Sequence, residues 1–286
     1  MNRHLSRKPV ARTAATGEAA ATDRALAEAL AGKRVLIAYG LVGELLAAMH
    51  RLGVDYMKSQ AAWLRRDLGA EVAVVRLRTA AAVADNAQRI AEVLCQDARP
   101  AVVIAHSKGG LETLTALMNR RAAGRCAAFI AIQSPFLGSP VADFLIAATP
   151  LHATVKGSLR LLRAGSGAGL HDLTTPVRQA WMERHAEAIA GLVENIPMVC
   201  CATAVNKSTI GPDRRYLALA RWIERQGFGP NDGMVPVSSA LLTGARHLVL
   251  GGGHRGTVSK GRGRDPVGLL RRLLAMALLE PNPAPP

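Results

Sequence analysis

Aromatic residues are scarce in this chain, at 3% of the total, so any core must be built from Ala, Val, Leu and Ile. Acidic residues are also in deficit: 21 Asp and Glu stand against 36 Lys and Arg, a formal charge of +15. No apolar run approaches the roughly 20 residues that a membrane-spanning helix needs. The N-terminal stretch 1–22 is basic at Arg3, Arg7, Lys8 and Arg12 but lacks the apolar centre of a secretory signal, and reads as a flexible tail. Cysteine is limited to Cys95, Cys126, Cys200 and Cys201, all inside expected helices or strands. The adjacent pair Cys200 and Cys201 suits neither an ordinary disulfide nor metal-ligand spacing, so all four read as reduced core thiols and the expected location is the cytoplasm.

The positive charge allows weak association with an anionic membrane surface. It does not define a nucleic-acid site, because no basic stripe interleaved with aromatics and no zinc-finger spacing accompanies it. Nearly half of the 286 residues are apolar, enough for one large domain and too many for wholesale disorder.

Strand-length apolar runs alternate with helical patterns along most of the chain. Strands are expected at Arg34 to Ala38, Glu71 to Leu77, Ala101 to Ala105, Ala127 to Ile132, Met198 to Val205 and His247 to Leu250. Helices are expected between them, including one capped by Thr22 and Asp23, Val83 to Cys95, Gly109 to Ala122, Val177 to Val193 and Val267 to Leu279. That alternation predicts an α/β fold, a mostly parallel sheet with helices on both faces. Residues 23–280 read as one domain, with an irregular insertion over 150–195 and a Pro-rich tail over 281–286.

The segment Ala101-Val-Val-Ile-Ala-His-Ser107-Lys-Gly-Gly110 carries the chemistry. An apolar strand runs directly into a serine with small residues two before and two after, Ala105 and Gly109. A strand-to-helix turn that sharp strains the serine backbone and leaves no room for larger neighbours. It lifts the hydroxyl above the sheet and sets the Lys108 amide at a helix N-terminus, where it can donate to an oxyanion. Ser259-Lys-Gly261 repeats half of this pattern without a strand before it. His106 reads as a neighbour of the turn rather than a base, because adjacent residues there point apart.

A serine hydroxyl needs an oriented imidazole to become a nucleophile, and after such a turn the acid and the histidine follow in that order. Asp232, in Asn231-Asp232-Gly233, is the candidate acid, although Asp-Gly is also ordinary turn chemistry. Asp265 and Asp213 are the alternatives. His254 is the candidate base, on the Gly251-Gly-Gly-His-Arg-Gly256 loop directly after a strand. The second oxyanion donor belongs on the loop after the first sheet strand, which makes it the Leu41 amide.

Together these residues resemble the lipase and esterase branch of the α/β-hydrolase superfamily, over about 33–280. Ala-His-Ser-Lys-Gly is similar to the lipase elbow, Ser134-Pro-Phe-Leu-Gly-Ser-Pro-Val-Ala-Asp143 to the segment after the sixth strand, and Asn231-Asp-Gly-Met-Val-Pro236 to the segment bearing the acid. Tyr39-Gly40 stands where lipases commonly have His-Gly. The resemblance implies ester hydrolysis through an acyl-enzyme on Ser107, with Tyr39, Gly40, Phe136 and Leu137 at the substrate and no cofactor. Gly253, Arg255 and Gly256 around His254 supply no carboxylate for the calcium of larger lipases, so no metal is expected. The expected partner is a small-molecule or lipid ester. The 150–195 insertion is expected to act as a lid, with Phe144, Leu145, Leu151, Leu161, Leu162, Leu170 and Trp181 available to line an acyl pocket. A thioesterase or acyltransferase on the same residues, a non-catalytic binding protein, and an anionic-surface binder are the competing readings.

Overall fold

Successive side chains of a strand leave opposite faces of its sheet, so a strand covered by helices on both sides must be apolar at nearly every position. Ala101–Ser107 meets that condition. In the computed structural model, which describes residues 10–40, 56–78, 80–148 and 167–281, it forms β3, buried throughout. Five further strands join it: β1 (Arg34–Gly40), β2 (Glu71–Val74), β4 (Cys126–Ile132), β5 (Met198–Ala204) and β6 (Arg246–Gly251). Their order is β2-β1-β3-β4-β5-β6, and every neighbouring pair is parallel.

The two-residue period divides the core in two. Leu36, Val103, Ala105, Phe129, Ala131 and Cys200 enter one apolar cluster, while Val35, Ile37, Val102, Ile104, Ile130 and Cys201 enter the other. Each fully buried aliphatic side chain contributes about 1.5–3 kcal/mol. The adjacent cysteines thus face opposite sides of the sheet. Burial pushes both thiols up to about 12, so they stay protonated and unreactive near neutral pH.

Helices α1 (Val10–Leu30) and α2 (Lys58–Arg66) lie on the second face, while α3 (Val83–Cys95) and α4 (Lys108–Leu117) lie on the first. A short α5 (Arg120–Ala123) follows α4, because the Asn119 side chain accepts from Arg121 and Ala122 amides and restarts the helix. The single helix expected from Gly109 to Ala122 is therefore two. After β4 come α6 (Pro140–Ala148), α7 (Ala168–His171), α8 (Thr175–Arg184) and α9 (Ala186–Asn195). The helix expected over Val177 to Val193 is interrupted at His185, whose Nδ1 donates to Trp181 O at 2.8 Å. A helix α10 (Leu217–Arg225) precedes the loop to β6, and α11 (Pro266–Leu278) returns to the second face.

Two more expectations change. The tail over 1–22 is helical from Val10, since its Ala-rich sequence favours helix. Thr22 and Asp23 are consequently not a cap. Thr22 Oγ1 donates back to Glu18 O at 3.0 Å, and the Asp23 carboxylate receives Arg271 Nε at 2.6 Å, tying α1 to α11. The 150–195 insertion also shrinks. Its last part, α9, buries Ile189 against the sheet with Ile196 and Met198, as a flanking helix rather than a lid. Residues 149–166, with Leu151, Leu161 and Leu162, lie outside the described residues.

Candidate active site

The strand order reverses between β1 and β3, and in open α/β sheets that reversal opens a crevice at the carboxyl ends of the strands. Gly40 and Ser107 sit there side by side, paired in register as the last residues of β1 and β3. Ser107 has φ 56 and ψ −129, a conformation costly for any residue with a Cβ, and α4 begins at Lys108.

Close packing makes the turn possible. A Cβ on Gly109 would fall 2.4 Å from Ala38 O, and one on Gly110 would fall 1.9 Å from Ser134 Oγ. The first obstacle is backbone of β1 and cannot move; the second is a small side chain. Gly109→Ala is therefore expected to lower stability by about 1–3 kcal/mol, and Gly110→Ala by a similar amount that Ser134→Gly relieves. Urea unfolding of both variants, alone and combined with Ser134→Gly, checks this. Relief of Gly109→Ala by Ser134→Gly would contradict it.

The Lys108 side chain is buried with the elbow. Its Nζ donates to Ala81 O at 2.7 Å and to Glu112 Oε1 at 2.6 Å, and Asn86 Nδ2 donates to the same carboxylate oxygen at 2.6 Å. Burial raises the Glu112 carboxyl pKa, an effect Lys108 opposes. This pair ties the first turn of α4 to the segment before α3.

Asp232 stands on a turn organised by Asn231, whose Oδ1 accepts the Gly233 amide at 2.9 Å and whose Nδ2 donates to Ala220 O at 3.0 Å. Asp232 is buried, and its Oδ1 accepts the Met234 and Val235 amides, each at 2.8 Å. Its Oδ2 is left for the His254 Nδ1 at 2.8 Å. The same residue also holds His254 through the backbone, His254 N donating to Asp232 O at 3.1 Å. His254 Nε2 lies 3.0 Å from Ser107 Oγ. A carboxylate accepts only, so Nδ1 carries the imidazole proton and Nε2 presents a lone pair to the serine hydroxyl.

The structure thus brings Ser107, His254 and Asp232 into one hydrogen-bonded chain. It engages the alternatives elsewhere. Asp213 pairs with Arg264, and Asp265 caps α11 through the Gly268 amide. His247 Nε2 donates to Leu242 O at 2.7 Å. Ser259 is buried in the turns after β6, with no strand-to-helix elbow.

Of the residues expected at the substrate, Tyr39 is the penultimate residue of β1 and packs edge-on against Tyr56, with ring centroids 5.0 Å apart. Leu137 is half-buried, its amide donating to Ser239 Oγ at 3.1 Å. The Phe136 ring is fully buried in the first apolar cluster, packed close to Gly110. Leu41 lies outside the described residues. Trp181 is stacked between Arg178 and His185, and Leu170 packs on the core, whereas Phe144 is exposed against Trp222.

Sequence reasoning passed over a polar cluster behind the histidine, formed by buried His106, Gln133, Thr203 and Thr257 with half-buried Tyr56 at its edge. Its one trace in the sequence is polarity at the carboxyl ends of two otherwise apolar strands, at His106 near the end of β3 and at Gln133 just after β4.

With this geometry, the chain has the α/β-hydrolase fold. Its structure is similar to the mature lipase BlEst2 of Bacillus licheniformis (TM-score 0.58, 22% identity), covering 77% of this chain and 84% of that one. It is similar also to the metagenomic carboxyl esterase MGS0156 (TM-score 0.62, 20% identity, 87% and 74% covered). Lipase 1 of Pelosinus fermentans shares the fold as well (TM-score 0.55, 13% identity, 87% and 99% covered). No protein-family model and no curated protein matches the chain.

Proposed function

We propose that this protein is a serine-dependent carboxylic ester hydrolase acting through an acyl-enzyme on Ser107. The observation that carries the reading is the relay itself, Ser107 Oγ to His254 Nε2 at 3.0 Å and His254 Nδ1 to Asp232 Oδ2 at 2.8 Å, beginning at a serine with φ 56. Lipases and esterases among the structures of similar fold support it further.

In the proposed reaction His254 Nε2 takes the hydroxyl proton as Ser107 Oγ attacks the ester carbonyl. Asp232 keeps the ring aligned and stabilises the imidazolium. The Lys108 amide, and as second donor the Leu41 amide expected from the sequence, donate to the oxyanion of the tetrahedral intermediate; loss of one such donor costs about 10²–10³ in rate. Collapse of the intermediate breaks the ester C–O bond, and the departing alkoxide takes the proton from His254. Water then attacks the acyl-serine, giving its proton to His254, and the carboxylic acid leaves as Ser107 regains its hydrogen.

The proposed substrate is a small-molecule or lipid ester, with weak attraction to anionic surfaces supplied by the charge of +15. Among the described residues no helix is long and apolar enough to cross a membrane. A cytoplasmic site is proposed on the strength of four free thiols, three of them buried.

A fluorophosphonate probe tests the reading. We expect one probe per chain, attached to Ser107, with labelling lost in His254→Ala, and turnover of p-nitrophenyl esters with a distinct acyl-length optimum. An unlabelled wild type would exclude the acyl-enzyme. Acyl transfer to an added alcohol in preference to water would make the protein an acyltransferase, and a strong preference for thioesters a thioesterase.

A further inference from the structure

The base follows three glycines, Gly251 at the end of β6 and then Gly252 and Gly253, which lose much conformational entropy on folding and have no side chains to anchor the loop. Something else must fix the His254 ring. Gln133, directly after β4, has φ 51, a second strained non-glycine position beside the site. Its amide N–H donates to Cys201 O at 2.7 Å. Its side-chain Nε2 donates to Gly253 O at 3.2 Å and to Thr203 Oγ1, while Oε1 accepts from Thr257 Oγ1 at 2.6 Å. A backbone carbonyl only accepts, so the amide nitrogen must face Gly253.

His106 Nε2 lies beside it, 3.1 Å from His254 O and 3.2 Å from Gln133 Oε1. Both partners are acceptors, so Nε2 carries the proton and Nδ1 accepts from the Tyr56 hydroxyl. Burial, reinforced by the nearby His254, lowers the His106 pKa to about 3, so this ring stays neutral in one tautomer.

We infer that His106 and Gln133 are positioning residues that clamp the two consecutive carbonyls of the histidine loop, Gly253 O and His254 O, and so hold the His254 imidazole in line with Ser107. The inference rests on the relay proposed above. With Asp232 O receiving the His254 amide, the loop is tethered at three backbone atoms around one side chain. A neutral donor suits the place. The His106 and His254 ring centroids are 5.0 Å apart, and a permanent cation there would oppose the imidazolium that forms during acyl transfer.

The test compares His106→Phe, His106→Gln and Gln133→Met in the full chain. Phenylalanine keeps the ring and loses both nitrogens, glutamine keeps a neutral N–H donor at similar reach, and methionine keeps the volume of Gln133 without its polarity. For His106→Phe and Gln133→Met we expect kcat and the fluorophosphonate labelling rate to fall about 10²-fold, as for a base misplaced by about 1 Å. KM should change less than about twofold, because substrate contacts are untouched. His106→Gln should recover about tenfold or more of the loss, and the double variant should lose less than the product of the singles, since both act through one loop. The downfield proton resonance of His254 Nδ1 should broaden or disappear in His106→Phe and return in His106→Gln, which a general loss of stability would not produce.

Wild-type labelling by a folded His106→Phe would overturn the inference, as would a His106→Gln no faster than His106→Phe. Should His106→Phe not fold, Gln133→Met decides, and a wild-type kcat overturns the inference. A wild type that never labels at Ser107 would instead overturn the relay on which the inference stands.

Discussion

Ser107→Ala is expected to reduce ester turnover by about 10⁶-fold and to abolish probe labelling, with little change in melting temperature. The separation of the two effects follows from the elbow. The Ser107 side chain makes no capping hydrogen bond to α4, and alanine meets the same backbone strain at φ 56 that serine does. What disappears is the nucleophile, leaving His254 Nε2 with no proton to take from position 107. The remaining oxyanion donors and substrate binding would sustain only about 10³–10⁴ over the uncatalysed rate. Turnover of p-nitrophenyl esters by purified Ser107→Ala, beside its thermal unfolding curve, measures both quantities. Retention of even a tenth of wild-type activity would be incompatible with an acyl-enzyme on this residue.

Asp232→Asn is expected to cost about 10⁴-fold in kcat, again with the fold retained. The cause is a proton in the wrong place. Asp232 Oδ1 receives two backbone amides, from Met234 and Val235, so the asparagine oxygen must occupy that position. Its NH₂ group then replaces Oδ2 and points a donor at His254 Nδ1. Nδ1 must become an acceptor, which moves the imidazole proton to Nε2, facing Ser107 Oγ. Two donors then meet where one lone pair is needed. Far-ultraviolet circular dichroism should match the wild type, while the Nδ1 resonance of His254 disappears. An Asp232→Asn protein with wild-type kcat would show that the carboxylate does not set the tautomer.

These expectations grow from features legible before any coordinates. Strands buried on both faces must be apolar at nearly every position, which is why Ala101 to Ala105 reads as a strand and why Cys200 and Cys201 read as core thiols. The requirement for small residues beside the elbow is equally local, and Gly109 lies against the β1 backbone for that reason. Helix breaks were not legible. Leu117 to Arg120 and Arg184 to Ala186 keep helical composition, and only the side chains of Asn119 and His185, bonding to nearby backbone, mark the interruptions. Asp23 looked like a cap because nothing in the sequence signals that Arg271 is its partner.

The sequence by itself determined the alternation of strand and helix, the serine at the strand-to-helix corner, and the chain order of serine, aspartate and histidine, because each is encoded by neighbours within a few residues. Only the tertiary structure decided which of three aspartates faces His254, that Phe136 belongs to the core, and that His106 and Gln133 hold the histidine loop. Those outcomes depend on hydrogen-bond partners brought within 3 Å or so by the parallel sheet, from positions as far apart as residues 107 and 254. Spacing along the chain does not carry that information.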